Sequence, residues 1–164
     1  MLILNGVWRA AVLTVSDRVA RGAAEDTAGP ALSALLRESG FDVVEQALVA
    51  DEPADIEREL RRLCGVAALV VTTGGTGLGP RDRTPEATAA LGGVDVPGIA
   101  EEMRRAGREE TAMAVLSRGI AIAVGSSLVV NLPGSPRGAT ASLAAVLGVL
   151  PHALSLLAGD TDHS

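Results

Sequence analysis

The residues in this chain best suited to chemistry lie in Thr72-Thr73-Gly74-Gly75-Thr76-Gly77-Leu78-Gly79-Pro80-Arg81-Asp82-Arg83-Thr84-Pro85-Glu86. Glycines at 74, 75 and 77 let backbone N–H groups approach an anion closely. Thr84-Pro85 reads as an N-cap followed by proline at the first helical position, so a helix offers its positive end just downstream. Asp82 stands between two arginines, where it is either a functional carboxylate or an ion-pair partner of Arg81 or Arg83. A plain tight turn would use the same glycines. Two familiar phosphate motifs are excluded. All 14 basic residues are arginine, so there is no P-loop lysine and no Schiff-base chemistry. The dinucleotide fingerprint fails because Pro80 occupies the position of its third glycine.

Three more clusters carry polar groups: Thr14-Val15-Ser16-Asp17-Arg18, Asp51, and Asn131-Leu132-Pro133-Gly134-Ser135-Pro136. Each has a bland reading beside the chemical one. Asp17-Arg18 makes an exposed ion pair of little value, Asp51 an N-cap ahead of Pro53, and Asn131–Pro136 a stiff turn.

The elements that must position these clusters alternate between apolar runs and helical patterns. Arg9–Ser16, Phe41–Ala50 and Val66–Thr72 read as strands, the first and third of them buried. Helices are expected over Thr27–Ser39, from Asp51-Glu52-Pro53 through Leu63, over Pro85–Leu91 and over Pro97–Thr111. Val19–Ala28 reads as a mobile loop, and Ala112–Leu116 as a short apolar segment. Ile120–Val124 and Leu128–Leu132 flank Gly125-Ser126-Ser127 as a hairpin, although the first segment also fits a helix. Gly138–Leu150 is an alanine-rich helix, interrupted or kinked at Pro151 before His152–Leu157. The alternation predicts an α/β fold, a three-layer αβα sandwich with a mostly parallel sheet. Right-handed crossovers then bring Ser16-Asp17 and Thr73–Gly77 to one sheet edge, where open α/β sheets bind ligands.

Composition sets the limits. With 164 residues, 48% hydrophobic and 21% charged, one globular domain over 1–164 is expected. Trp8 and Phe41 are the only aromatics, so bases cannot be stacked on aromatic platforms. A net charge of −6 argues against nucleic acid and anionic membranes as partners. No run reaches the length of a membrane span, and Met1–Trp8 lacks the basic start of a signal peptide, so a cytoplasmic location is expected. Cys64 reads as a small buried hydrophobe, His152 as a helix-surface or core residue, and His163 as part of a frayed tail.

Taken together, TVSDR at 14–18, D-x-x-G-P at 26–30, TTGGTGLGPRDRTPEAT at 72–88, PGIAEEMR at 97–104, LSR at 116–118 and NLPGSP at 131–136 resemble the molybdopterin adenylyltransferase family of molybdenum cofactor biosynthesis, the MogA/MoaB type also found as a domain in plant Cnx and animal gephyrin proteins. The resemblance runs from Ala10 to Gly159. It implies a homotrimer that binds molybdopterin and ATP and transfers AMP from Mg-ATP to the pterin's terminal phosphate, with hand-over to a later metal-insertion protein. A non-catalytic pterin-binding or scaffold homologue of the same fold is the alternative.

Carried over by position, Asp51 and Asp82 match the family's two essential aspartates and would hold Mg²⁺. Ser16, Asp17, Gly74, Gly75, Thr76, Gly77, Ser117, Asn131, Pro133, Gly134 and Ser135 fall in its ligand-contacting motifs. Carboxylates on a cation and N–H groups on phosphates suit phosphoryl transfer, which depends on positioning and charge neutralisation. Arg81, Arg83, Arg118 and Arg137 are candidates to balance anionic charge. The chain departs from the pattern at Ala20, where a serine is usual, and at Val124–Ser127, a turn that lacks the usual basic residues.

Overall fold

A computed structural model of the chain describes residues 2–160; the reading of His163 falls outside them. In chain order the elements are β1 (Ile3–Leu4), β2 (Val7–Val15), α1 (Asp17–Ala20), α2 (Ala28–Glu38), β3 (Asp42–Val49), α3 (Pro53–Cys64), β4 (Leu69–Thr73), α4 (Thr84–Ala89), β5 (Val94–Asp95), α5 (Pro97–Glu110), a 3₁₀ turn (Ala112–Leu116), β6 (Ala121–Val124), β7 (Ser127–Leu132), α6 (Pro136–Val146) and α7 (Leu150–Leu157).

Strands β3, β2, β4 and β7 lie side by side and pair in parallel. Antiparallel additions flank them, with β6 and then β5 beyond β7, and β1 against the start of β2. Successive side chains of a strand point to opposite faces, and here both faces are covered. Ala10 and Val12 of β2, Leu69 and Val71 of β4, and Leu128, Val130 and Leu132 of β7 pack against α2, α5, α6 and α7. Ala11, Leu13 and Val15, with Val70 and Val129, pack on the other face against Ile56, Leu60 and Leu63 of α3 and Ala87 of α4. This is the expected α/β sandwich.

Several local expectations change. The segment after β2 begins with a helical turn, α1, because the Ser16 hydroxyl accepts from the Val19 N–H at 3.2 Å. Thr84 is the first helical residue of α4 rather than its cap, since its hydroxyl donates instead to the Gly74 carbonyl at 2.9 Å. Ile120–Val124 resolves as strand and completes the hairpin around Gly125, whose φ of +57° suits a tight turn. Of the two readings at Pro151, interruption holds: α6 ends at Val146 and a separate helix, α7, begins at Leu150. Pro151 sits in the first turn of α7, where its missing N–H costs nothing, and α7 diverges by 65° from α6. No single helix among the described residues is long and apolar enough to cross a membrane. The α6–α7 pair passes that test only jointly, and Leu143, Val146, Leu150 and Leu154 of the pair belong to the core.

The parallel arrangement decides where chemistry can occur. The C-terminal ends of β2, β3, β4 and β7 emerge at one edge, releasing Ser16, Ala50-Asp51, Gly74 and Pro133 side by side.

Candidate functional site

The centre of that edge is the turn leaving β4. Gly74 has φ +100°, and a Cβ there would lie 2.2 Å from the Val15 carbonyl oxygen. Gly75 has φ +67°, and its Cβ would meet the Thr84 hydroxyl at 2.2 Å. Neither conformation nor space admits a side chain, so glycine is required at both. The turn is fastened on three sides. The Thr73 hydroxyl donates to the Pro133 carbonyl at 2.7 Å, and the Thr84 hydroxyl to the Gly74 carbonyl. Arg118 donates to the carbonyls of Gly77 and Asp82, each at 2.8 Å, and also pairs with Glu86. The Gly74 N–H is spent on the Leu132 carbonyl at 3.3 Å. Those of Gly75, Thr76 and Gly77 have no acceptor among the described residues. Three successive free N–H groups in a fastened glycine turn are the donors of an anion cradle.

On one side of this turn lies a polar cavity of about 450 Å³. Ser16, Asp17, Asp51, Gly74, Gly75 and Asp82 line it, together with Gly134. Asp17 and Asp51 hold each other's backbone: the Asp17 N–H donates to Asp51 Oδ2 at 2.8 Å and the Asp51 N–H to Asp17 Oδ1 at 3.0 Å. Asp51 is therefore no cap of α3. Glu52 occupies that position, without a side-chain cap bond. Asp17 pairs with Arg81 at 3.0 Å rather than with its neighbour Arg18. Arg81, followed by the Asp51 N–H, holds the Asp17 carboxyl below the ordinary carboxylate range. Burial pushes Asp51 the other way, aided by the charges of Asp17 and Asp82 and opposed by the Asp17 N–H and by Arg81. Asp82 folds back on its loop, with Oδ2 accepting from the Gly79 N–H at 2.9 Å. Cβ atoms at Gly77 and Gly79 would come within 2.9 and 2.8 Å of that oxygen, so the small residues make room for this carboxylate.

No three metal-ligating side chains converge among the described residues. Asp51 and Asp82 nevertheless flank the glycine turn and face one cavity, and burial together with the charges of Asp17 and Asp82 disfavours the Asp51 carboxylate. Two hard oxygen donors beside a polyanion cradle fit Mg²⁺, which usually takes one or two carboxylates and completes its shell with phosphate oxygens and water.

On the other side of the turn a cleft of about 590 Å³ runs between α5, the 3₁₀ turn and α6. Thr76, Gly77, Ser117, Pro133 and Ser135 line it, and its walls are mainly apolar, with Leu78, Met113 and Leu116 among them. Most of the expected site residues thus divide between two cavities that share the glycine turn, and a Cβ at Gly134 would lie 3.4 Å from the Gly74 Cα, so the two loops run close together. Ser135 also caps α6, accepting from the Gly138 N–H at 3.1 Å.

Asn131 behaves differently from expectation. It is buried, its amide nitrogen donates to the hydroxyls of Thr72 and Thr88, and its oxygen accepts from the Ile120 N–H. It braces β7 against β4 and α4 instead of offering a polar atom to a ligand. The arginines are also largely spoken for. Arg81 bridges Asp17 and Glu52, Arg83 lies 3.9 Å from Glu86, Arg118 clamps the turn, and Arg137 pairs with Glu110 across the cleft. Charge balance here comes mainly from backbone N–H groups. Sequence reasoning quoted Asp26 within D-x-x-G-P but gave it no role; its carboxylate accepts from the Thr14 hydroxyl at 2.7 Å and the Gly29 N–H at 2.9 Å in the polar cavity wall. Its place in that motif, ahead of Thr27-Ala28-Gly29 at a helix start, was the signal for a capping role.

Comparison with known proteins agrees with this layout. Residues 11–152 match the family described as a probable molybdopterin binding domain. The molybdenum cofactor biosynthesis bifunctional protein of Synechococcus elongatus is 48% identical over 161 residues, covering 98% of this chain and 50% of that protein, so this chain spans half of its length. A molybdopterin adenylyltransferase of Helicobacter pylori is 39% identical, covering 91% of this chain and 87% of the relative. The crystal structure of the molybdopterin biosynthesis enzyme MoaB from Thermus thermophilus superposes with a TM-score of 0.85 at 51% identity, over 92% of this chain and 96% of that one. A match along nearly the whole length, to a family whose solved members share this fold, establishes that the chain belongs to the molybdopterin-binding domain family of molybdenum cofactor biosynthesis.

Proposed function

We propose that this chain is a molybdopterin adenylyltransferase. A terminal phosphate oxygen of molybdopterin attacks the α-phosphorus of ATP, the bond to the bridging oxygen of the β-phosphate breaks, and pyrophosphate leaves. The observation that carries this reading is one anion cradle shared by two cavities of opposite character. The polar cavity suits a nucleotide polyphosphate, and the apolar cleft a flat heteroaromatic ring. The two substrates' phosphates then meet at Gly75–Gly77. The Helicobacter pylori relative carries the same activity in its name, at an extent of alignment that leaves little of either chain unmatched.

The chain's contribution is positioning and electrostatics, as phosphoryl transfer requires. The free N–H groups of Gly75, Thr76 and Gly77 hold phosphate oxygens, and the clamp by Arg118, Thr73 and Thr84 keeps them aimed. Asp51 and Asp82 would hold Mg²⁺, which supplies neutralisation of the triphosphate when bound. Further elements of the reading are a single domain, a homotrimer, a cytoplasmic location and delivery of the adenylylated pterin to a metal-inserting protein.

The test is to incubate the purified chain with molybdopterin and Mg-ATP and to follow adenylylated pterin by chromatography and pyrophosphate by a coupled assay. Both products are expected in equal amounts. Tight pterin binding without pyrophosphate release would make the chain a non-catalytic homologue. Light scattering should report three times the 16.6 kDa chain mass.

A further inference from the structure

The apolar cleft adjoins a small nook of about 30 Å³. Ser117, Pro133 and Ser142 belong to both spaces, and Arg104 reaches the nook from α5. Two of its polar groups are unspent. Arg104 Nη1 donates to the carbonyls of Ser117 at 3.3 Å and Gly119 at 3.0 Å. Its Nε and Nη2 donate to nothing, and no carboxylate pairs with it, among the described residues. Ser142 is 5% exposed, yet its hydroxyl makes no hydrogen bond among them either. A helical serine that does not face solvent can return its hydroxyl to the carbonyl one turn back. Ser33 does so toward Gly29 at 3.0 Å, and Thr140, on the same helix as Ser142, does so toward Pro136 at 2.8 Å. Ser142 leaves that option unused and opens on the cavity.

A space of this size holds one oxygen-sized group and no ring. A guanidinium is donor-only, so the group it accepts there must be a hydrogen-bond acceptor. We infer that Arg104 and Ser142 read an exocyclic carbonyl oxygen on the ring in the cleft, and so select a pterin carrying an oxo group over a pteridine carrying an amino group in its place. An amino group would set its own N–H donors against those of Arg104, leaving both sides unpaired, and discrimination of that kind exceeds what shape alone provides. The inference deepens the reading of the cleft as the pterin's place and rests on it.

The experiment measures binding of 6-hydroxymethylpterin and of its 2,4-diamino counterpart to the purified full chain by quenching of pteridine fluorescence. The wild type should prefer the oxo compound by roughly tenfold or more. Ser142→Ala should narrow the preference. Ser142→Leu fills the nook and should weaken the oxo compound by roughly tenfold while ATP binding and melting temperature hold. Arg104→Gln should abolish the preference. Because that variant also loses carbonyl contacts, the Ser142 pair tests the inference independently of it. Equal binding of the two compounds by the wild type overturns the inference, as does a preference unmoved in both Ser142→Leu and Arg104→Gln. Failure of both compounds to bind, with molybdopterin still adenylylated, overturns this inference alone. Failure of binding and of adenylylation together overturns it along with the proposed function.

Discussion

Replacing Asp51 by Asn should slow adenylyl transfer without weakening the fold, and the structure gives the reasons for both halves. Asparagine keeps an oxygen where Asp51 Oδ2 accepts the Asp17 N–H at 2.8 Å, so the link between the β2 and β3 exits survives. What disappears is a negative charge that burial and the charges of Asp17 and Asp82 disfavour. The sign of the linkage follows. A carboxyl whose folded pKa is raised contributes stability that is complete below its unfolded pKa and is lost as pH rises through the folded one. Above the folded value the wild type has lost that contribution, and asparagine imitates the protonated acid. The melting temperature of Asp51→Asn should therefore equal or exceed that of the wild type at pH 7, with the difference closing in acid.

Activity should move the other way. Losing an essential charge contact in a phosphoryl-transfer site typically costs about 2.7–4 kcal/mol, roughly a hundred- to thousandfold in rate. Asp51→Ala separates the two effects, because it also removes the acceptor of the Asp17 N–H. That hydrogen bond contributes about 1 kcal/mol, roughly 2–4 °C in a chain of this size. The assay is pyrophosphate release at saturating ATP and pterin, paired with thermal melts of all three proteins. Wild-type turnover in Asp51→Asn, or a melting temperature clearly below wild type at pH 7, would refute the reasoning.

Asp82→Asn should likewise cost on the order of a hundredfold or more in turnover, with the Gly79 N–H still satisfied and folding preserved; calorimetry and the same turnover assay check it. Gly74→Ala forces a side chain into φ +100° and against the Val15 carbonyl, so a loss of at least about 1–3 kcal/mol is expected from chemical denaturation. Asn131→Ala should destabilise by about 3 kcal/mol through the buried partners it abandons, while turnover per folded molecule stays near wild type; a selective loss of turnover would instead make Asn131 a ligand contact. Asp17, held low by Arg81, contributes stability present above its unfolded pKa and lost as pH falls through the folded one. In Arg81→Gln that acid-side loss should shrink, which melting curves across the acid range will show.

The parts of this molecule legible in its sequence are those governed by short-range rules. Apolar runs and helical spacing located the strands and their covering helices, and handedness of crossovers brought Ser16-Asp17 and Thr73–Gly77 to one edge; that β7 pairs in parallel with β4, and so adds Pro133 to that edge, came from the structure. The glycine turn was legible because only glycine tolerates the backbone found at Gly74 and Gly75. What escaped were choices among several partners of similar local merit. Thr84 could cap its own helix or reach the Gly74 carbonyl, and the tight return of the chain from β4 favoured the second. Asp17 had Arg18 beside it in sequence, yet Arg81, 64 residues away, reaches it better because the glycine loop folds over the β2 exit. Asn131 sat in a motif that suggested ligand contact, but a polar side chain on a central strand must satisfy itself where it is buried, and Thr72 and Thr88 stand within reach. The same rule, applied in reverse, gives Arg104 and Ser142 their interest. In a core where Ser33, Ser127 and Thr84 are each hydrogen-bonded, the unpaired hydroxyl of a largely buried serine and a partly spent guanidinium lining one small space are what a ligand atom would complete.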